Sequence, residues 1–163
     1  MNAAVLVPLV RLISEPFLVL TRRSRYLKTH PGQISFPGGF IEPAETALEA
    51  ALREADEEVG IKVEKILSIT ELKTNVTVTT GVTVRAFLGI VSEPIFRLNR
   101  EEVEDLIFVA LQNIASKNPE TVIMPTGKRT IRYRFDGLII WGATARIIES
   151  GVGEIMSIME DRA

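Results

Sequence analysis

Residues 39–61, GFIEPAETALEAALREADEEVGI, constrain this chain more than any other segment. Gly39 is followed after five residues by Glu45, after seven more by Arg53-Glu54, after two by Glu57-Glu58 and after one by Gly60-Ile61. No lysine interrupts the run. Thr46 with Glu49 three residues on is a capping box, so a helix is expected from Ala47. The Ala-, Leu- and Glu-rich stretch through Val59 propagates it, and Gly60 supplies a left-handed stop. Leu48, Ala51, Leu52, Ala55 and Val59 share the face that must pack on a core. Glu54, Glu57 and Glu58, related by i+3 and i+4, share another. Ala47 and Ala50 precede them on that side, where small residues are expected to leave room beside the carboxylates.

Like charges at these spacings repel by about a few tenths of a kcal/mol per pair. The carboxyl end of the helix dipole disfavours them further. A divalent cation removes both penalties. The cluster offers only oxygen, and the chain has no cysteine and one histidine. Mg²⁺ or Mn²⁺ is therefore expected in preference to Zn²⁺. A solvated acidic face is the ordinary alternative for a Glu-rich helix; the wider spacing and the flanking glycines argue against it.

A chain of 163 residues fits one domain with a real core, taken as 1–163. The formal net charge of −2 gives no bulk attraction to nucleic acid or to an anionic membrane. No apolar stretch approaches the roughly 20 residues that span a bilayer. The first residues, MNAAVLVPLVRLI, lack a basic leader and read as a strand. A cytoplasmic location is the default expectation, with a small molecule as partner and a homodimer left open. The absence of cysteine excludes disulfides and thiol chemistry.

The rest of the chain reads as strands broken by a few helices. Strands are expected at 5–13 and 17–22, separated by Ser14-Glu15-Pro16, followed by a loop over 30–39. Beyond the helix, 64–72 reads as a strand. Residues 76–91 form a β-branched stretch with a break at Gly81. A polar connection covers 94–102, a short strand 106–110 and a short helix 111–116. Strands at 121–124 and 129–135 flank the turn Pro125-Thr126-Gly127-Lys128. Residues 141–150 have helical periodicity, with more helix open through Met159. Such an alternation predicts an α/β fold with a mixed sheet covered on both faces.

The spacing within 39–61 resembles the Nudix box, G-x5-E-x7-R-E-U-x-E-E-x-G-U, where U is a bulky aliphatic residue. Every fixed position matches; Ala55 stands at the first U, on the buried face. The resemblance implies a Nudix-type α/β/α sandwich and a metal-dependent hydrolase of nucleoside diphosphate derivatives. It further implies that the Gly38 carbonyl, Glu54, Glu57 and Glu58 hold Mg²⁺ or Mn²⁺. Arg53 is expected to orient Glu45 and its neighbours. Glu54 is the first candidate for general base, and a distal glutamate is its rival. That distal carboxylate is expected in 98–105, with Glu102 the first choice and Glu104 the second.

Residues 19–39, VLTRRSRYLKTHPGQISFPGG, are similar to the additional signature of the coenzyme A pyrophosphatase branch. The matching residues are Leu20-Thr21, Arg23-Ser24, Lys28, Gly32 and Phe36-Pro37-Gly38-Gly39. Lys28 stands where arginine is usual, and Val19 replaces a leucine. Lysine is a point charge and arginine a planar fork, so the exchange is not neutral. The resemblance implies substrate contacts from Arg23, Ser24, Lys28, Gly32 and Phe36. It implies cleavage of coenzyme A (CoA) or acyl-CoA to 4′-phosphopantetheine and 3′,5′-ADP. His30 reads as a loop residue. Residues 141–146, WGATAR, resemble the start of the family's C-terminal helix, with Trp141 read as a packing anchor and, as the alternative, as lining the CoA site. Alternatives are another Nudix substrate (ADP-ribose, a dinucleotide, a damaged nucleoside triphosphate) or a non-catalytic nucleotide-binding domain.

Overall fold

The first strand is the structural centre. In the computed structural model, which describes residues 1–77 and 80–162, β1 (Asn2–Leu12) alternates its side chains between two cores. Ala4, Leu6 and Val10 enter one and Val7 and Leu9 the other. This is the period-two consequence of a strand covered on both faces. On one edge β1 pairs antiparallel with β2 (Glu15–Arg23) and β4 (Gly38–Phe40). On the other it runs parallel to β6 (Thr83–Val91), which β5 (Ile66–Thr77) flanks antiparallel. The short β3 (Ile34–Ser35) and β7 (Val103–Ala110) pair with β2 and complete a seven-stranded mixed sheet.

Helix α1 (Ala47–Val59) covers one face. Thr46 Oγ1 accepts from the Glu49 N–H, and the Glu49 carboxylate accepts from the Thr46 N–H at 2.7 Å, closing the capping box. Gly60, with φ of 72°, ends the helix in the left-handed conformation. Ala47 and Ala50 do not open the space beside the carboxylates that their position in the sequence led one to expect. They are buried at 4% and 0% exposure against the sheet. With Ala51 and Ala55 they form a flat alanine surface that lets the helix backbone lie close to β1.

The opposite core collects Leu9, Leu20, Leu88 and Ile107 from the sheet and Ile147, Ile148 and Ile155 from α3 (Gly142–Asp161). It also takes Tyr133, Phe135 and Ile140 from a second, three-stranded antiparallel sheet. That sheet comprises β8 (Glu120–Ile123), β9 (Arg129–Phe135) and β10 (Leu138–Trp141). The small helix α2 (Leu111–Ser116) leads into it. The arrangement is α/β with a mixed sheet between helical layers.

Several boundaries differ from the sequence reading. The first hairpin turns at Ile13 and Ser14, with φ of 50° and 67°, so β2 begins at Glu15 and includes Pro16. Two consecutive positive φ angles make a tight hairpin turn, and an isoleucine there gives no sequence signal. The 30–39 stretch contains β3 and the start of β4. A short 3₁₀ turn over Val63–Lys65 delays the next strand to Ile66. The 76–91 stretch is two strands; residues 78 and 79 within it lie outside the described residues. β7 starts at Val103, which pairs with Arg23; Asp105 faces Arg22 across the strand pair, and Glu104 pairs with Arg25 just beyond the end of β2. Asp136-Gly137, with φ of 29° and 84°, forms a hairpin turn that creates β10, a signal the sequence reading left unused. Trp141 is thus the last strand residue, and α3 runs to Asp161.

Replacing Thr46 removes the cap from the helix that carries the acidic cluster. Thr46→Ala is expected to cost about 1 kcal/mol, lowering Tm by roughly 2–4 °C for a chain of this size. Thermal melts of the two proteins measure this directly, and an unchanged Tm would show that the cap adds no net stability.

Candidate active site

Arg53, one turn before the end of the acidic run, is the hub of the site. Its Nε donates to Glu45 Oε1 at 2.7 Å and its Nη2 to Glu45 Oε2 at 3.1 Å, a two-pronged pairing. Nη1 donates to Glu54 Oε1 at 3.0 Å and to Glu57 Oε2 at 3.4 Å. Nη2 also reaches the Phe40 carbonyl on β4 at 3.3 Å. One guanidinium therefore ties the loop before α1, the strand beneath it and two helix carboxylates into a single unit. The Arg53 hydrogen bonds, helped by the Glu42 N–H, hold the Glu45 carboxyl below its usual range.

Glu58, four residues beyond Glu54, turns toward the sheet and is buried, at 9% exposure. Burial, then the charges of Glu54 and Glu102, push its carboxyl up to about 8, against the opposing influence of the Gly38 backbone and Arg23. Burial raises Glu54 as well; Arg53 opposes this, while Glu57 and Glu102 add to it. Glu102 is exposed but acts electrostatically on both, because the turn before β7 brings it to the same cleft. The cleft measures about 770 Å³ and is lined by Gly38, Gly39, Glu54, Glu58, Glu102, Arg23 and Phe36 among others. At Gly39 a Cβ atom would lie 2.5 Å from Glu54 Oε1, so a side chain there would occupy the space in front of that carboxylate.

Other candidates fall elsewhere. Glu57 does not line this cleft; its side chain is 56% exposed and reaches Arg53. Glu104 pairs with Arg25, whose Nε donates at 2.7 Å. Ser24 is buried, its N–H donating to the Glu102 carbonyl at 2.9 Å and its Oγ accepting from the Tyr26 N–H. Ser24 thus fixes the loop bearing Glu102 and does not face the cleft. Gly32, with φ of 71°, makes the turn that returns the chain to β2, its N–H donating to the Arg23 carbonyl. Lys28 is exposed and outside the cleft lining. Arg23 lines it, braced by two donations to the Thr29 carbonyl at 3.0 and 3.3 Å. Phe36 belongs to the core and borders the cleft at once. The sequence reading did not anticipate Ala143, Thr144 and Ile147, which bring the start of α3 to the cleft wall; the glycine at 142 preceding an apolar helix was the available cue.

The donor set suits a hard divalent cation. It is all oxygen, it gathers Glu54, Glu58 and Glu102 beside the Gly38 backbone, and it crowds negative charge around a buried carboxyl. Among the described residues no three acidic or imidazole side chains converge tightly enough to coordinate one ion as they stand. The fit therefore rests on shared lining and mutual electrostatic influence.

Residues 2–127 match the NUDIX domain family. The chain is 36% identical over 154 residues to a protein of Yersinia enterocolitica described as an uncharacterized Nudix hydrolase, NudL, covering 90% of this chain and 77% of that one. A NudL protein of an Enterobacter species is 34% identical over 153 residues, covering 90% and 79%. Among solved structures, the Nudix domain of Shewanella oneidensis NrtR, complexed with ADP-ribose, superposes with a TM-score of 0.57. It shares 18% identity and covers 72% of this chain and 77% of that one. A Caenorhabditis elegans Ap4A hydrolase complex gives a TM-score of 0.56 at 23% identity, covering 68% and 80%. At such identities the structural likeness speaks for the fold, while the sequence matches and the box together identify the chain as a member of the Nudix hydrolase family.

Proposed function

We propose that this Nudix hydrolase cleaves the diphosphate of CoA or an acyl-CoA, releasing 4′-phosphopantetheine and 3′,5′-ADP. The observation that carries this reading is that the second motif and the acidic helix serve one cleft. Arg23 and Phe36 line it beside Gly38, Gly39, Glu54 and Glu58, and Ser24 tethers the loop of Glu102. A substrate with a diphosphate and a separate phosphate needs carboxylates for the metal and cations for the remaining charge.

In this proposal Glu54, Glu58, Glu102 and the Gly38 carbonyl hold Mg²⁺ or Mn²⁺. Glu57 adds charge from the solvent side and helps anchor Arg53. The cation, when bound, would neutralise the phosphoryl oxygens and lower the pKa of coordinated water. Glu54 is the proposed base. Its Oε1 is engaged by Arg53, which leaves Oε2 to accept a proton from the attacking water. Its raised affinity for protons favours that role; Glu102 is the rival. Arg53 and Glu45 hold the constellation in place without touching substrate.

A second reading, cleavage of ADP-ribose or a dinucleotide, draws support from Lys28 in place of arginine. It also fits the neighbours solved with ADP-ribose or named for Ap4A hydrolysis. A substrate panel with product identification separates the two readings: 3′,5′-ADP from CoA supports the first, and preferential cleavage of ADP-ribose overturns it.

Hydrolysis is expected to vanish in EDTA and return with Mg²⁺ or Mn²⁺; full activity in metal-free buffer would sink the mechanism. Glu58→Gln is expected to lower kcat by roughly 10²-fold while the far-ultraviolet circular dichroism spectrum stays intact. The distal carboxylate is tested by comparing two variants. Glu102→Gln should lower kcat with Tm unchanged, whereas Glu104→Gln, which breaks a surface pair with Arg25, should alter Tm little and leave kcat near wild type. The reverse pattern would move the distal role to Glu104.

A further inference from the structure

Past His30, Gln33 and Ala143 the acidic cleft continues into a second cavity of about 420 Å³, which shares those residues as lining. Its character is opposite. No carboxylate lines it among the described residues; Lys128, Arg129 and Arg146 do, together with the half-buried Trp141. The charge pattern on β9 is selective. Arg132 and Arg134 both pair with Glu120. Lys128 and Arg129, at the hairpin end of the same strand, form no ion pair among the described residues. The amino terminus of the 20-residue α3 opens here too, with Trp141 as N-cap and no side chain satisfying its first N–H groups. A helix start of this kind favours an anion. Trp141 stands edge-on to His30, with ring centroids 6.4 Å apart.

We propose that this cavity is the subsite for the phosphorylated nucleoside end of the substrate, with Lys128 and Arg129 reading the 3′-phosphate and Trp141 packing on the base. The assignment rests on the CoA reading above and gives the reading of the 3′-phosphate to the β8–β9 hairpin; Lys28, the lysine of the upstream motif, lies outside the cleft. The joined cavities then match the substrate end to end: carboxylates where the metal-bound diphosphate is cut, cations and an aromatic ring where the 3′,5′-ADP portion rests. A charge-assisted contact makes a difference on the order of 10- to 100-fold.

Trp141 is the single tryptophan of the chain, so its fluorescence reports occupancy of this cavity without reference to turnover. The full-length protein in Mg²⁺ would be titrated with 3′,5′-ADP and with 5′-AMP. Expected is a change in Trp141 emission for both, with 3′,5′-ADP bound at least about 10-fold more tightly. The K128A/R129A variant, checked for an unchanged Tm, should reduce that ratio to near one. It should also collapse the kcat/KM preference for CoA over 3′-dephospho-CoA. Silence of Trp141, equal affinity for the two nucleotides, or a preference that survives in the double variant overturns the subsite. Collapse of the preference in Lys28→Ala, with none in K128A/R129A, returns the role to the loop and also overturns it. If CoA is not hydrolysed but the titration remains selective and sensitive to Lys128 and Arg129, the subsite stands and the CoA reading falls alone.

Discussion

A carboxylate withdrawn from water next to two others is the constraint around which this site is built. Glu58 is covered by the sheet on one side and faces the charges of Glu54 and Glu102 on the other. Left to itself such a group keeps its proton, because burial and like charge both oppose ionisation. The fold accepts this cost and supplies only partial relief through the Gly38 backbone and the more distant Arg23. In the proposed mechanism a divalent cation relieves this repulsion. The same reasoning explains the flanking glycine: a side chain at position 39 would fill the space before Glu54.

Arg53 is the counterweight. Its contacts reach both sides of α1's amino-terminal approach, from Glu45 and Phe40 to Glu54 and Glu57. A lysine could neutralise charge there but could not hold a carboxylate with two prongs while bracing a second. The upstream motif works largely as architecture. Thr21 donates to the Ser35 carbonyl, Ser24 to the Glu102 carbonyl, and Gly32 to the Arg23 carbonyl. These links gather β2, β3 and the loop before β7 into one frame. Of the five residues that read as substrate contacts in sequence, Arg23 and Phe36 line the cleft, Ser24 and Gly32 hold its walls, and Lys28 lies outside it.

Much of the fold was legible because local signals agreed with tertiary demands. The capping box at Thr46 and Glu49, the stop at Gly60 and the apolar run that becomes β1 each have one physical reading, and the structure follows it. What escaped were features whose cause is non-local. Ile13 in a positive-φ turn is held there by the register of Leu12 against Glu15. Ala47 and Ala50 seemed to belong to the acidic side by helical arithmetic, but the sheet claims a broader arc of the helix than five apolar positions implied. In the site, the proximity of Glu54 and Glu58 on one helix follows from their i+4 spacing, whereas Glu102 was picked out by resemblance and only the tertiary fold brings it to the same cleft. Glu57 turns outward to Arg53 on the helix surface, Glu104 is taken up by Arg25, and α3 reaches the cleft through the packing of the second sheet.

The parallel pairing of β1 with β6 has a consequence for the order in which the molecule takes shape. Asn2 faces Thr83 and Leu9 faces Ile90, so the central strand keeps one open edge until more than half of the chain has been made. Long-range pairing of this kind is slow and leaves an unpaired edge exposed meanwhile. The hairpin of β1 and β2, with α1 laid across it, can gather early, since all of its parts lie within the first 59 residues. The β5–β6 hairpin then closes the open edge of β1, and β7, made later still, pairs with β2 on the opposite side and brings Glu102 to the cleft of Glu58. Catalytic competence is accordingly a late event in the chain's maturation, reached after the helix that carries most of its chemistry has long been in place.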